Sequence, residues 1–273
     1  MSDQTRERDL SRMSWPEVEA RLSAGLRLAI IPVGSFEQHG PHLPLRTDYA
    51  LAYGRAMRIA ALTDAVVAPV VMAGLSAHHL DFPGTISLQP ETLVAILRDT
   101  ACSLARHGID RIILLSGHGG NDVTIKYAAE IMEREAPVEV VALGVGEISA
   151  YFPPSSSLNL DIHAGLMETA AMLIYAPGEV RLERAERPTL RFAEPAMQEW
   201  LERRAEDAVG FKVLKSRLPS IRAFSDNGVV TLLDPAGAPA SVAEREDVEE
   251  RFAKDVAAFV GKWLEAQKET GHA

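Results

Sequence analysis

The stretch LRLAIIPVGSFEQHGPHLPLRTD, residues 26–48, joins a continuous apolar run to a loop crowded with carboxylates and imidazoles. The run LRLAIIPV is rich in branched side chains and lacks polar alternation, which is typical of a strand covered on both faces. The loop after it carries Glu37, His39, His42 and Asp48. Because ligands bind beyond the carboxyl ends of strands in parallel α/β sheets, we expect a functional site directly after this strand.

Similar apolar runs recur three times further along the chain, as AVVAPVVM, DRIILLSG and PVEVVALGVG. Helical patterns lie before and between the runs, in SWPEVEARLSAG, DYALAYGRAMRIAAL, PETLVAILRDTACSLARHG and NDVTIKYAAEIMERE. This alternation over residues 26–146 predicts βαβ units, a mostly parallel sheet and an α/β fold. The length of 273 residues is within the range of one large domain, so we expect a single domain over residues 1–273.

The second half of the chain gives weaker signals. Apolar spacing predicts helices in HAGLMETAAMLIYAP (163–177) and EPAMQEWLERRAEDA (194–208), with a surface loop between them. A final helix is expected from Ser241, where Ser241 and Glu244 form a capping-box pattern. One short strand is expected at residues 229–233, within a region of turn-forming residues.

Composition limits the classes of partner. The formal net charge is −10 and the isoelectric point is about 5.3, which argues against nucleic-acid binding because phosphate neutralisation needs clustered Lys and Arg. A small-molecule substrate is the expected partner. No run of 18 or more apolar residues occurs, so we expect a cytoplasmic protein without a membrane partner. The lone Cys102 excludes a disulfide framework within one chain and is predicted to be a buried, inert thiol.

Two further polar clusters follow apolar runs. SGHGGND (116–122) carries His118 among glycines, and DIHAGLMET (161–169) carries His163 and Glu168. GHGGND matches neither GxxxxGK[ST] nor GxGxxG, the two common phosphate-binding patterns. A glycine-rich turn of this kind either cradles an anion at a helix N-terminus or brings a histidine tightly against a metal ion.

The three clusters together contain enough ligands for two divalent metal ions. Two histidines and three carboxylates suit Zn²⁺, Mn²⁺ or Fe²⁺, with one carboxylate bridging the ions. Such a pair of ions activates water and polarises a carbonyl, as amide hydrolysis requires, and His163 would protonate the leaving nitrogen. Simpler roles remain open: Asp48 can cap a helix, Glu37 can be a solvated loop residue, and His39 a hydrogen-bonded loop histidine. The candidate ligands are Glu37, His39, Asp48, His118 and Glu168.

Four blocks of the sequence resemble, in order and spacing, the signature blocks of the creatininase family: PVGSFEQHGPHLPLRTD, HHLDFPGTISLQPETL, SGHGGN and HAGLMET. The resemblance implies a three-layer α/β/α fold, a dinuclear Zn²⁺ or Mn²⁺ centre bridged by Asp48, hydrolysis of C–N bonds in small amides, and a homohexamer. It gives His163 a catalytic role. Creatininase proper has a glutamate ligand at the position of Gly120, so this chain is more similar to relatives with GHGGN. In those, Glu168 is expected to complete the metal shell and to act beside His163.

The resemblance does not fix the substrate. Relatives of this type include formamidopyrimidine deformylases, a mycofactocin precursor peptidase and a hydrolase of an oxidised inositol, so cleavage of a C–C bond in a cyclic diketone is an alternative. A non-catalytic small-molecule binding protein on the same fold is another. His79 is either a substrate contact or a buried structural histidine. The candidate substrate-binding residues are His79, Gly119, Gly120, Asn121, Asp226 and Asn227.

Overall fold

A four-stranded parallel sheet organises the first half of the chain in a computed structural model that describes residues 6–152, 161–191 and 220–270. Its strands are β1 (Leu28–Val33), β2 (Val66–Val67), β3 (Arg111–Ser116) and β4 (Glu139–Leu143), in the spatial order β2-β1-β3-β4. In the pairing of β1 with β3, Val33 lies opposite Ser116. The two loops that leave these strands therefore start side by side.

Helices cover both faces of the sheet. They are α1 (Trp15–Ser23), α2 (Thr47–Leu62), α3 (Pro90–Arg106), α4 (Asp122–Glu135), α5 (Val145–Ser149), α6 (Leu166–Tyr175), α7 (Ile221–Phe224) and α8 (Ala238–Thr270). A separate antiparallel pair is formed by β5 (Asp161–His163) and β6 (Val230–Thr231). Among the described helices, none is both long enough and apolar enough to cross a membrane.

Strand β1 shows how the layers are built. Successive side chains of a strand point to opposite faces. Ala29 and Ile31 pack with α3 and α4, whereas Leu28 and Ile30 pack with α2 and α8, and all four are buried. Burial of each large apolar side chain contributes about 1.5–3 kcal/mol, which explains why β1 has no polar face. The arrangement is the predicted three-layer α/β/α fold with a mostly parallel central sheet.

The structure corrects two local predictions. Helix α8 begins at Ala238, three residues before Ser241, because the Asp234 side chain accepts a hydrogen bond from the Ala236 N–H (3.1 Å) and caps a short turn that runs directly into the helix. Cys102 is exposed on α3, so the prediction of a buried thiol is wrong. The helix predicted at 194–208 lies outside the described residues.

A buried ionic cluster ties α2, α6 and α8 together. The Glu249 carboxylate accepts hydrogen bonds from Arg55 Nε (3.0 Å), Arg245 Nε (2.8 Å) and the Tyr175 hydroxyl (3.0 Å). Glu249 is fully buried and both arginines are nearly so. Burial alone would raise the pKa of Glu249, but the two guanidinium groups outweigh it and lower this pKa to about 2.

The cluster makes Glu249→Gln strongly destabilising. Loss of the carboxylate charge leaves two buried guanidinium groups without a counter-ion, and we expect the free energy of unfolding to fall by about 3–5 kcal/mol in urea denaturation at neutral pH. Glu246→Gln is the matched control, because Glu246 lies on the same helix, pairs with Arg58 and is 44% exposed. That variant should lose at most about 1 kcal/mol. Equal losses in the two variants would contradict the prediction.

Candidate metal centre

The predicted ligands converge at the carboxyl ends of β1 and β3. Glu37 and His39 lie on the loop after β1, and His118 lies on the turn after β3. Asp48 is the second residue of α2, and Glu168 lies in the first turn of α6. The five side chains are hereafter called the ligand cluster.

Asp48 is shared by two groups of possible ligand atoms. One group is Glu37, Asp48 and His118, and the other is His39, Asp48 and Glu168; within each group the ligand atoms lie within 4.8 Å of one another. Oδ2 of Asp48 is 3.1 Å from His118 Nδ1, and Oδ1 is 3.2 Å from His39 Nε2. Each oxygen of this carboxylate therefore faces a different group, as a bridging ligand requires.

Both ligand histidines have one ring nitrogen engaged by the main chain. His39 Nδ1 is 3.1 Å from the Glu37 carbonyl oxygen, and His118 Nε2 is 3.1 Å from the Leu75 carbonyl oxygen. Because a carbonyl only accepts, these nitrogens carry the protons, which leaves His39 Nε2 and His118 Nδ1 as the atoms that face the carboxylates. Metal-bound histidines are commonly held in this way by a second partner.

The cluster contains buried polar atoms that face charged neighbours but form no well-aligned hydrogen bond. Among the described residues these include Glu37 Oε1, His39 Nε2 and Asp48 Oδ2, which lie 3.1–3.2 Å from an imidazole or carboxylate atom of the cluster. Buried polar atoms without well-formed hydrogen bonds are costly, so their convergence favours a bound ligand. Imidazole and carboxylate atoms so arranged fit divalent transition metals, so the residues present suit the ions that the sequence predicts.

The charges of the cluster are strongly coupled. Burial disfavours every charged form, but Asp48 and Glu168 outweigh burial at His39 and raise its pKa well above the usual value. At His118, Glu37 and Asp48 likewise outweigh burial and raise the pKa of the imidazole. In return, His39 lowers the pKa of Glu168 to about 2 despite burial. Glu168 therefore stays ionised, and divalent cations would displace the protons from the imidazoles.

His163 lies against the cluster at the end of β5. Its Nε2–H donates to the Gln38 carbonyl oxygen (2.8 Å), and its Nδ1 is 3.7 Å from Glu37 Oε1. A third group of possible ligand atoms is formed by Glu37, His39 and His163. The next residue, Ala164, has φ of 50°, which is unusual for a residue with a side chain, and its N–H donates to Glu168 Oε2 (2.6 Å).

The glycines in the turn after β3 let neighbouring atoms approach the main chain closely. A Cβ atom at Gly117 would lie 2.2 Å from the Asp48 carbonyl oxygen, and one at Gly120 would lie 2.3 Å from His118 Nε2. Neither glycine has a positive φ, so close approach and not backbone freedom requires them. Of the two roles that the sequence left open, the structure favours the second, because the turn brings His118 against the carboxylates of Glu37 and Asp48.

Three residues that support Glu37 and His163 were missed in the sequence. Ser35 Oγ donates to Glu37 Oε2 (2.9 Å), and Ser76 Oγ donates to the same oxygen. The Gln38 side chain lies 2.8 Å from His79 Nδ1 and donates to the Gly228 carbonyl oxygen (3.0 Å). Serine and glutamine carry no motif of their own, and proximity to the predicted ligands was the one available signal for Ser35 and Gln38.

Burial rules out the simpler role of Glu37, which has no exposed surface and is not a solvated loop residue. His39 is a hydrogen-bonded loop histidine through Nδ1, as the alternative for it states, and its Nε2 also faces Asp48. Asp48 is not the residue that caps α2, because the N-cap position is Arg46. His42, the remaining histidine of the loop, bonds Thr169 Oγ1 through Nε2 (2.8 Å), and burial lowers its pKa to about 4. His42 therefore has a structural role.

Some of the candidate substrate-binding residues are buried, and the others are at least partly exposed. His79 is buried beside the cluster, with Nε2 3.4 Å from Glu37 Oε1. Asn121 is fully buried, and its amide donates to the Gly34 carbonyl oxygen and accepts from the Leu75 N–H; a substrate contact of Asn121 stays a prediction. Asp226 and Asn227 accept hydrogen bonds from nearby main-chain N–H groups. For these two, as for Gly119 and Gly120, a substrate contact stays a prediction.

Comparisons with known proteins find a matching family model and related sequences. The family model described as "Creatininase: Creatinine amidohydrolase" matches residues 11–260. Creatinine amidohydrolase of Pseudomonas putida is 32% identical over 193 residues, which cover 64% of this chain and 74% of that protein. The mycofactocin precursor peptide peptidase of Mycobacterium tuberculosis is 32% identical over 254 residues, which cover 86% and 85%.

Solved structures extend the comparison to the fold. A mutant creatininase of the Zn–Zn type superimposes with a TM-score of 0.74 at 27% identity, covering 94% of this chain and 98% of that one. The family match spans most of the chain, and the similar proteins are hydrolases. The chain belongs to the creatininase family of hydrolases.

Proposed function

We propose that the chain is a dinuclear metal-dependent amidohydrolase that cleaves a C–N bond in a small polar substrate. The observation that supports this most is the position of Asp48, whose two oxygens face two separate ligand groups. A mononuclear site would need only one of these groups. The unsatisfied atoms of Glu37, His39 and Asp48 point to the same conclusion.

The residues for each ion follow from the two groups. Glu37, Asp48 and His118 would hold one ion, and His39, Asp48 and Glu168 would hold the other. Zn²⁺ and Mn²⁺ are the candidates, with Fe²⁺ also suited to this donor set. When bound, such ions lower the pKa of water and polarise a carbonyl group.

His163 is suited to move the proton. Its Nε2–H is held by the Gln38 carbonyl oxygen, so the lone pair lies on Nδ1, on the side of Glu37. Burial and the nearby His39 lower the pKa of His163, which favours the neutral imidazole at neutral pH. Nδ1 can then accept the proton of the attacking water and donate it to the leaving nitrogen, which departs as an amine.

Metal analysis is the direct test. Purified protein loaded with Zn²⁺ or Mn²⁺ should contain about two ions per chain by elemental analysis, and a chelator should lower its melting temperature. Activity should be lost with the metal and return on reloading. A protein that binds neither ion, and is stabilised by neither, would overturn the proposal.

The substrate class needs a panel of compounds with the metal-loaded protein. Creatinine, formamides and short peptides test C–N cleavage, and a keto-inositol tests the C–C alternative. Release of an amine from any of the first three supports the proposal. Turnover of the keto-inositol alone would replace it with C–C hydrolysis, and binding without turnover of any compound would favour the non-catalytic alternative.

A further inference from the structure

A pocket of about 120 Å³ leads from the ligand cluster to the buried ionic cluster of α2, α6 and α8. His163 and Glu168 line one part of it, and Arg55 and Arg245 line another. The volume is several times what one water molecule needs. The pocket therefore joins the proposed reaction centre to two guanidinium groups that the proposed reaction does not use.

Both guanidinium groups keep donors available. The hydrogen bonds of Arg55 to Glu249 use Nε and Nη2, and those of Arg245 use the same two positions. In the described part of the chain, the Nη1 group of neither arginine has a hydrogen-bond partner. Among the described residues, the two arginines share Glu249 as their one directly paired carboxylate, and such an excess of positive charge is costly in a buried place unless an anion joins it.

The other carboxylates on the pocket wall are already engaged. Glu168 accepts a hydrogen bond from the Ala164 N–H and faces His39. Asp161 accepts hydrogen bonds from the N–H groups of Leu166 (2.9 Å) and Met167 (2.6 Å), at the start of α6. Glu168 acts on Arg55 only at a distance, and among the described residues neither carboxylate forms an ion pair or hydrogen bond with the arginines.

We propose that Arg55 and Arg245 form an anion-binding subsite that holds a carboxylate or phosphate group of the substrate while its amide lies at the ligand cluster. The inference rests on the proposed function for the position of the amide, but the subsite itself needs no metal. Charged N–H donors bind carboxylate and phosphate oxygens about twice as strongly as neutral donors do. The chain would then prefer acidic amides over neutral ones such as creatinine.

Calorimetric titration can test the preference. The probes are the N-acetyl derivatives of glycine, β-alanine and 4-aminobutyrate, each compared with its uncharged terminal amide, and inorganic phosphate. At least one anionic probe should bind wild-type protein about tenfold or more tightly than its amide. If phosphate alone binds, the subsite takes a phosphate group, whereas acetyl-amino acids alone indicate a carboxylate. No preference for any anion would overturn the inference.

Titrations with zinc-loaded and with chelator-treated protein separate the two proposals. A preference that persists without metal belongs to the arginines and stands even if the dinuclear proposal fails. A preference that vanishes with the metal overturns the subsite and leaves the dinuclear proposal intact. The metal-free titration also measures binding without turnover of the probe.

Variants of the cluster test whether the arginines cause the preference for anionic probes. Arg245→Gln should bring the affinities for the anionic probe and its amide within about twofold of each other, without weakening the amide. Arg245→Lys, which keeps the charge, should retain part of the preference. Tyr175→Phe is the matched control, because it removes a bond to Glu249 but leaves both arginines. Equal loss of preference in Tyr175→Phe and Arg245→Gln would mean that the cluster is only structural.

Discussion

Asp48→Asn is expected to lower kcat/KM by at least about a thousandfold and the metal content from about two ions per chain to about one or fewer. The amide nitrogen of asparagine cannot ligate a cation, so one of the two groups that share this side chain loses a ligand. Several kcal/mol of transition-state stabilisation depends on the ions, and each 1.4 kcal/mol is a factor of ten in rate. Elemental analysis of the purified variant and initial rates at saturating metal measure the two effects.

Asp99→Asn is the matched control for this change. Asp99 is a carboxylate on α3 that pairs with Arg98 and is 71% exposed. The same substitution there should alter neither the metal content nor the rate beyond about twofold. Retention of both ions and of a tenth or more of the activity in Asp48→Asn would contradict the bridging role.

His163→Ala is expected to lower kcat by about 10²–10⁴-fold while both ions are retained. The two groups that share Asp48 do not include His163, so their ligands stay intact, but the proton of the attacking water loses its acceptor. Free imidazole in the assay should restore part of the rate, because it can enter the space left by the side chain. A purely structural role would not give this rescue.

His107→Ala controls for the loss of an imidazole elsewhere. His107 is exposed at the C-terminal end of α3, and its removal should leave metal content and rate unchanged. If His163→Ala instead loses an ion, His163 is a ligand, as the third group with Glu37 and His39 allows. That outcome would exclude it as the residue that moves the proton.

The sheet was predictable where the apolar pattern is unbroken. Strands β1 and β3 were predictable because each contains a short, continuous run of apolar residues, and in the structure every residue of both strands is buried. The run AVVAPVVM gave only the two-residue strand β2, since Pro69 lacks the N–H that the ladder needs. After this interruption, Val71 forms an isolated parallel β-bridge with Val33 of β1. Local sequence shows where a strand is possible, but the pairing partner decides how much of it forms.

The members of the candidate site were predictable, but their grouping was not. Strand ends and residue chemistry indicated five ligands, and the structure brings these five together. Which ligands face the same point depends on side-chain rotamers and on the register of β1 against β3, neither of which a motif encodes. Arg245 could not be linked to the site at all, because it comes from α8, more than 200 residues after Glu37.

Helix α2 carries Asp48 in its first turn and Arg55 seven residues later, on the same side of the helix. Seven residues span about 10 Å along a helix axis and nearly two whole turns. If Asp48 holds the ions and Arg55 holds the anionic group, the helix fixes the distance between the bond to be cleaved and that group. An inserted residue between them would rotate Arg55 by about 100° away from the pocket, so substrate length is encoded in a rigid element and not in a loop.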